Sequence, residues 1–350
     1  MAPWQESTDN GLGLVYEIDG VDHANGVYVA VGQAMVPTGW DARHGIWGWD
    51  WAGAIWYSTD GRQWQPASLP DSPQLGQVTA VTATPSGFAA LAPGDKTHLL
   101  TSADGRSWQV SSSFAGYATA LTALGPHLLA YPIEIYGDQD AAWIYADGTW
   151  SRADLPRRVL AATAADGYMW AVVGDQHPPT LWRSSDGLSW DKVAELSGPK
   201  DLFYAQLAVG PNGWVITGEQ VTDGPGPIPE YGWYAWTSPD GLSWSRSQSA
   251  PEHVSDLFAD DQGFVAVGFD TGGCCAWDPE YAKGVIWTSA DGRTWRQQSN
   301  KGWVGRLPTE ITVSESTVIA LGADWTLDDS GSGFAAGAVW TIDRSALSGP

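Results

Sequence analysis

Short runs of apolar and β-branched residues alternate with polar turns along the whole chain, which predicts a protein built of β-strands. One pattern recurs, with the form Trp-x-Ser-x-Asp-Gly-x-x-Trp. Its copies are WYSTDGRQW from Trp56, LTSADGRSW from Leu100, WIYADGTW from Trp143, WRSSDGLSW from Trp182, WTSPDGLSW from Trp236 and WTSADGRTW from Trp287. Asp-Gly between two β-prone runs favours a tight hairpin, because the turn needs residues that accept a positive φ angle. The sequence therefore predicts one hairpin that is used repeatedly.

These hairpins recur at a nearly regular spacing. Their last Trp residues stand at positions 64, 108, 150, 190, 244 and 295. A second hairpin precedes each one, as in residues 77–94, 158–175 and 253–270. Each repeat thus has four strands, A to D, with short A–B and C–D turns and longer B–C and D–A loops. Four-stranded units of about 40 to 50 residues are typical of β-propeller blades. No segment has a convincing helical pattern.

The two ends of the chain together complete one further repeat. Residues 309–324 and 337–343 supply strands A, B and C, and residues 2–7 resemble the D strands of other repeats. We expect this N-terminal strand to close the ring and leave no open sheet edge. The prediction is an all-β, seven-bladed β-propeller of four-stranded antiparallel blades, formed by residues 1–350 as a single domain.

The repeated hairpin resembles the Asp-box, S-x-D-x-G-x-x-W, of the BNR-repeat, sialidase-like β-propellers, although here Gly directly follows Asp. In that family the box is structural and lies on the face opposite the ligand. The resemblance therefore implies a structural role for Asp60, Asp104, Asp147, Asp186, Asp240 and Asp291. Sialidases also bind the substrate carboxylate through three arginines beside a Tyr-Glu pair, and no matching motif is found. Sialidase activity is not expected.

Aromatic residues are concentrated in the B–C and D–A loops, which would lie on one face, where a rigid scaffold usually carries its binding residues. Eight of the 23 Trp occupy these loops and no framework position explains them. In the first repeat, alternation places Trp47, Trp49 and Trp51 on one side of an extended segment. The predicted ligand-binding aromatic residues are Trp47, Trp49, Trp51, Tyr231, Trp233, Trp277 and Trp325. The alternative is that these rings pack long loops down onto the blades.

Carboxylates crowd the same loops. The acids that follow B strands at nearly matching positions should face one another around the channel mouth; they are Glu134, Asp175, Glu219, Asp270 and Asp324. Asp19, Asp256 and Glu310 lie on the inner A strands. Clustered carboxylates raise one another's pKa, as a general acid requires. Glu219, Asp270 and Glu310 are therefore catalytic candidates, and Glu134, Asp175 and Asp324 are ligand-binding candidates. The alternative is a solvated acidic rim or a cation site.

Charge and cysteine content narrow the choice of partner. The net charge of −23 argues against a nucleic-acid partner, because phosphates need Lys and Arg. No apolar run is long enough for a membrane span. Cys274 and Cys275 follow Gly272-Gly273 and predict a vicinal disulfide, with two free thiols or a soft-metal site as alternatives. A persistent disulfide favours secretion, although the first residues do not have the pattern of a signal peptide.

The function predicted from these features is ligand binding by a monomer, with a glycan or a small neutral or cationic molecule as the ligand. No metal or cofactor is expected; a bound cation such as calcium is not indicated by any motif. Two alternatives stay open. One is a glycoside hydrolase that uses a pair of carboxylates at the channel mouth. The other is a protein–protein interaction scaffold.

Overall fold

The computed structural model describes residues 5–7, 10–41, 46–70, 75–133, 141–156, 158–174, 178–200, 202–222, 230–270, 282–298, 303–314, 316–325 and 335–347. This part of the chain is almost entirely antiparallel β-sheet, as the alternating pattern predicts. Its one helix, α1 (Arg344–Leu347), is a single turn that the sequence analysis did not anticipate. Within the described residues, no helix has the length and apolarity needed to cross a membrane.

After β1, the strands follow the chain in six groups of four and a last group of three, to which β1 is added; we call these groups units I to VII. Units I to III contain β2 (Leu14–Ala24), β3 (Val27–Asp41), β4 (Ile46–Ser58), β5 (Gln65–Pro66); β6 (Ala80–Thr84), β7 (Gly87–Ala92), β8 (Thr97–Ser102), β9 (Gln109–Phe114); and β10 (Ala120–Leu124), β11 (His127–Tyr131), β12 (Trp143–Ala146), β13 (Thr149–Arg152). Units IV and V contain β14 (Val159–Ala165), β15 (Tyr168–Val173), β16 (Thr180–Ser184), β17 (Asp191–Glu195); and β18 (Leu202–Gly210), β19 (Gly213–Thr222), β20 (Glu230–Ser238), β21 (Ser245–Arg246). Units VI and VII contain β22 (Val254–Asp260), β23 (Gly263–Asp270), β24 (Lys283–Ser289), β25 (Arg296–Gln297); and β26 (Arg306–Ser314), β27 (Thr317–Asp324), β28 (Ala335–Asp343), with β1 (Gln5–Ser7).

Units II to VI are each a separate four-stranded sheet, whereas units I and VII share one eight-stranded sheet. In the shared sheet, β1 pairs with β28 from Gln5↔Thr341 to Ser7↔Val339. Strand β2 also meets β28 over a short stretch, Leu14↔Ala336 and Val15↔Ala335. The first and last units are thus joined by backbone hydrogen bonds.

The first strands of the units pack against one another in a closed order: β2, β6, β10, β14, β18, β22, β26 and again β2. The apolar core follows the same order, because each buried cluster lies between two neighbouring units, including one shared by units VII and I. The second strand of each unit lies inside its sheet and needs apolar residues at both alternating positions, since both of its faces are covered. Strand β7 is buried along its whole length for this reason.

The repeated Asp-Gly turns are held by a shared set of hydrogen bonds. In unit II, the Arg106 and Ser107 N–H groups donate to Asp104 Oδ1 over 2.9 and 3.1 Å, and the Gly105 N–H donates to Ser102 Oγ over 2.9 Å. Asp60, Asp186, Asp240 and Asp291 accept turn N–H groups in the same way. The turn of unit III differs: Asp147 and Gly148 both have positive φ angles in a two-residue hairpin. In the other five turns, the Asp carboxylate accepts hydrogen bonds from backbone N–H groups that have no partner within the hairpin ladder.

The predicted loop of the first repeat, residues 33–54, is mainly a hairpin. Strands β3 and β4 continue to pair from Met35↔Trp51 to Asp41↔Ile46, with a bulge between Pro37 and Gly39. The sequence predicted a loop rather than this extension of β3 and β4, because Pro and Gly residues between the apolar runs usually indicate a loop. The side chains of Trp47 and Trp49 lie outside the described residues, although their backbone belongs to β4.

One loop Trp has a framework role that the sequence did not reveal. Trp303 is buried, belongs to the apolar cluster between units VI and VII, and its ring centroid lies 5.3 Å from that of Trp340. It therefore packs the D–A connection onto the sheet, which is the alternative interpretation of the loop aromatic residues.

Candidate functional site

Three of the predicted site residues lie on one face of unit V. In the β19–β20 ladder, Glu219 pairs with Trp233 and Val221 pairs with Tyr231. Directly opposite residues in an antiparallel ladder project to the same side, and so do residues two apart along a strand. Glu219, Tyr231 and Trp233 consequently point together toward unit VI. They lie near the B–C loop end of the sheet, where the sequence placed the binding face.

Unit VI contributes two further rings to this cluster. His253 lies 5.3 Å from Tyr231 and 5.2 Å from Trp233, centroid to centroid, with both pairs edge-on. Its other side stacks on Phe269 at 5.0 Å and 9°. His253 Nδ1 is 3.3 Å from Glu219 Oε2, an ion pair whenever the imidazole is protonated. We call these five residues (Glu219, Tyr231, Trp233, His253 and Phe269) the cage.

The backbone at His253 is held in an uncommon conformation. Its φ angle is +41°, in the left-handed region that non-glycine residues seldom adopt. Its carbonyl oxygen accepts the Phe269 N–H over 3.3 Å and lies where a Cβ on Gly268 would be 1.8 Å away. Glycine at position 268 is therefore required for the two strands to approach. Together these contacts fix the position from which the imidazole enters the cage.

The cage is neither sealed nor fully open. The side chains of Glu219 and His253 are 15% and 11% exposed, and Tyr231, Trp233 and Phe269 are partly buried. Trp233 Nε1 is buried, and among the described residues it has no hydrogen-bond acceptor. Because this nitrogen is buried, an oxygen of a ligand can accept its hydrogen bond only when a neighbouring side chain moves aside.

A second group of polar residues lines the ring of inner strands. Asp256 Oδ2 accepts the Ile311 N–H of the next unit over 2.9 Å, and its Oδ1 accepts the Leu257 N–H over 2.7 Å. Glu310 accepts the Val21 N–H of unit I. Asp22 Oδ2 accepts the Ala83 N–H of unit II over 2.7 Å. Each of these carboxylates therefore links its own inner strand to the backbone of the next.

The same carboxylates hold their protons more tightly than usual. Burial raises the pKa of Asp256 to about 6, with a further rise from the charge of Asp22. Burial, followed by the charges of Asp256 and Asp19, raises the pKa of Glu310 well above its ordinary value. Nearby, burial raises the pKa of the Tyr204 hydroxyl, which donates to Ser255 O over 3.0 Å. Glu310, a catalytic candidate from the sequence, thus combines a raised pKa with a structural hydrogen bond.

Asp324 does not occupy the open position that the sequence predicted. Its side chain is only 1% exposed, and Arg306 Nε donates to its Oδ2 over 3.1 Å. The next residue, Trp325, packs against the apolar cluster shared by units I and VII, and its N–H donates to Gly305 O. Both residues contribute to the framework at the end of β27. The sequence could not separate them from Glu219, which follows its own B strand at a similar position.

The other predicted site residues lie either elsewhere on the sheets or outside the described part of the chain. Trp51 is partly buried and its N–H donates to Asp50 Oδ1, and Asp270 pairs in register with Lys283 at the end of β23. The structure does not bring these two residues into the cage. The remaining predicted residues lie outside the described part of the chain: Glu134, Asp175, Trp277, Cys274 and Cys275.

Sequence reasoning missed His253 and Phe269, which complete the cage, and Phe203. Phe203 is 49% exposed at the bulge that begins β18, and its carbonyl oxygen accepts a hydrogen bond from Arg158 Nη2. A usable signal existed for His253, since it directly precedes an inner strand. Among the described residues, no group of three or more His, Cys, Asp or Glu is placed to hold a metal ion.

No protein-family model and no curated protein matches the sequence. Solved structures do match. Polysaccharide lyase Uly1 aligns with a TM-score of 0.58 at 9% identity, over 93% of this chain and 90% of that chain. The computationally designed Ika8 protein gives 0.53 at 13% identity, over 95% and 98%. A putative 6-phosphogluconolactonase from Bacteroides uniformis gives 0.53 at 10% identity, over 88% and 94%. The chain has a β-propeller-like fold. At these identities the similarity concerns the fold alone.

Proposed function

We propose that units I to VII are the blades of a seven-bladed propeller related to the Asp-box family, with β1 as the closing strand. The closed order of the inner strands and of the buried clusters supports this count. A second observation supports β1 as a D strand. The Trp64 N–H donates to Asn10 O over 2.7 Å, just as the Trp108 N–H donates to Ser68 O over 2.9 Å after β5. The segment after β1 thus has the same relation to the next turn as the segment after a true D strand.

We infer that the propeller binds a carbohydrate on the face that carries the B–C and D–A loops. The cage between units V and VI is the observation that carries this inference. Sugars present apolar C–H faces, which suit aromatic rings, and hydroxyl groups, which suit a carboxylate acceptor and an indole donor. Tyr231 and Trp233 supply the rings, Glu219 the acceptor, and Trp233 Nε1 the donor.

A glycan array followed by calorimetry with the ligand found tests this function. Trp233→Ala should weaken binding at least tenfold, since a ring at the centre of a binding site commonly contributes about 2 kcal/mol or more. Changing Trp47, Trp49 and Trp51 together to Ala tests the other predicted aromatic site, which lies on β4 of unit I. Leu242→Ala is the matched control, because Leu242 is exposed at the Asp-Gly turn of the same unit V. A ligand whose affinity ignores Trp233→Ala would place the binding site elsewhere.

A glycoside hydrolase is the second candidate function, and the raised pKa values of Asp256 and Glu310 favour it. A carboxylic acid that stays protonated near neutral pH can donate a proton to a leaving oxygen. If the protein hydrolyses glycosides, Glu310→Gln should abolish turnover while leaving ligand affinity nearly unchanged. Glu219→Gln and Asp270→Asn test the other predicted catalytic residues. Loss of folding in Glu310→Gln, measured by thermal unfolding, would instead identify Glu310 as a structural link.

A further inference from the structure

One member of the cage, His253, has a ring that can carry positive charge. Three aromatic rings surround the His253 imidazole at 5.0 to 5.3 Å, and the Glu219 carboxylate lies 3.3 Å from Nδ1. Cations are attracted to aromatic faces within about 6 Å of the centroid, and most strongly to Trp. Rings around a carboxylate form a typical environment for an ammonium group. The position of the imidazole, between these rings and the Glu219 carboxylate, therefore suits a cationic group.

We propose that the other four residues of the cage recognise a protonated amine on the ligand, as found in amino sugars, and that the His253 ring fills this position in the free protein. The inference rests on the carbohydrate-binding function proposed above and names its ligand class. The ammonium group would take the contacts with Glu219, Tyr231 and Trp233 when the imidazole rotates away. A sugar hydroxyl beside the amine would accept the Trp233 Nε1–H.

The backbone at position 253 allows this exchange without moving the strand. The His253 carbonyl is held by the Phe269 N–H and by close approach to Gly268, so the peptide stays in place. The imidazole is linked to the cage by ring contacts and by the Glu219 pair. Rotation about side-chain bonds on a fixed backbone is fast compared with loop movement.

Charge favours a cation over an anion at this position. Glu219 faces the imidazole directly, with 3.3 Å between its Oε2 and His253 Nδ1. The chain as a whole carries −23. An anionic sugar would have to bring its charge against the Glu219 carboxylate, which costs free energy at short range. An amino sugar gains from the same arrangement.

Matched oligosaccharides that differ in charge test the proposal. Chitosan and chitin oligosaccharides of equal length share a backbone, but only chitosan carries amines, which are protonated in mildly acidic buffer. Calorimetry should show chitosan binding at least tenfold more tightly, with the preference lost in Glu219→Gln. That variant is nearly isosteric and keeps an acceptor for His253. Glu252→Gln is the control, because Glu252 is exposed beside the cage and its removal changes the net charge equally.

The variants of His253 test its role as the occupant. His253→Ala should increase the affinity for chitosan, because the amine no longer displaces the ring. A decrease in affinity would show that the imidazole contacts the ligand, and it would overturn the proposed exchange.

Three further outcomes would contradict the proposal in different ways. Equal binding of chitin and chitosan would keep carbohydrate binding and exclude amine recognition. Equal weakening of chitosan binding by Glu219→Gln and Glu252→Gln would reduce the preference to net charge. A lysine oligopeptide that competes as well as chitosan would show amine recognition without a sugar, and the carbohydrate function would fail with it.

Discussion

The carboxylates of this protein have pKa shifts of opposite direction at the Asp-Gly turns and on the inner strands. At the Asp-Gly turns, the N–H groups of Arg106 and Ser107 hold the pKa of Asp104 below its usual value, which keeps the acceptor ionised. On the inner strands the reverse holds, since burial raises the pKa of Asp256 to about 6. Turn carboxylates therefore stabilise the fold most when the pH is above their pKa. Asp256 does the opposite, because the folded state becomes less stable as the pH rises and this buried carboxyl group ionises.

Asp256→Asn should make the protein more stable at pH 8. The carboxylate has a pKa of 3.8 as a free group and about 6 in the fold. Since the folded state binds the proton more tightly, its stability falls as pH rises through this window and stays lower above it. Removing the charge should recover about 1–3 kcal/mol at pH 8, a gain that is reduced by the loss of the two hydrogen bonds that the carboxylate accepts.

Urea unfolding between pH 3 and pH 8 measures this effect, with the exposed Asp166→Asn as the control for net charge. The stability difference between Asp256→Asn and the native protein should grow between about pH 4 and pH 6. A variant that is less stable at every pH would mean that the ionised carboxylate, through its two N–H partners, stabilises the ring.

Short secondary-structure elements in this molecule are stabilised by contacts with neighbouring units rather than by their own backbone hydrogen bonds. The C-terminal helix α1 has only four residues, too few to be stable alone. Arg344 is 2% exposed and donates to both oxygens of Asp260, at 2.6 and 2.9 Å. Leu347 is buried in the cluster between units VI and VII. The helix thus clamps the last unit onto the one before it.

Arg344→Ala should destabilise the protein by about 3–5 kcal/mol, because it leaves the partly buried Asp260 carboxylate without its partner. Thermal and urea unfolding measure the loss. Ser345→Ala, an exposed change in the same helix, should have little effect. The double variant with Asp260→Ala should be less destabilised than Arg344→Ala alone, since no unpaired charge then remains. An additive double variant would mean that the two side chains are not coupled.

At the scale of the whole molecule, the ends of the chain meet in one sheet. Strand β1 is short, yet it pairs with β28. In the segment after β1, Asn10 links two units: its carbonyl oxygen accepts the Trp64 N–H of unit I, and its side-chain amide donates to Gly337 O of unit VII. Contacts between residues so far apart in sequence carry a large loop-closure entropy, which the rest of the fold has to offset. Closure is therefore a property of the complete ring.

Removal of residues 1–9 should lower the stability of the whole protein by several kcal/mol, given about 1 kcal/mol for each backbone hydrogen bond lost and the exposed edge that remains on β28. Thermal unfolding by Trp fluorescence measures the shift, and size-exclusion chromatography detects pairing through the open edge. Removal of residues 348–350 is the control at the other terminus. Unchanged melting would mean that the ring closes without β1.

The sequence alone determined the repeat, because Asp-Gly turns and alternating apolar runs are local signals that each hairpin carries in full. It indicated the four-stranded units, the closing role of the N-terminus and the face rich in aromatic and acidic residues. It did not separate Glu219, which lies in the cage, from Asp324, which is buried against Arg306, since both follow a B strand. Only the tertiary structure decided that difference. A side chain's neighbours across two units depend on register, on bulges and on the approach that Gly268 permits, and none of these is set within a single strand.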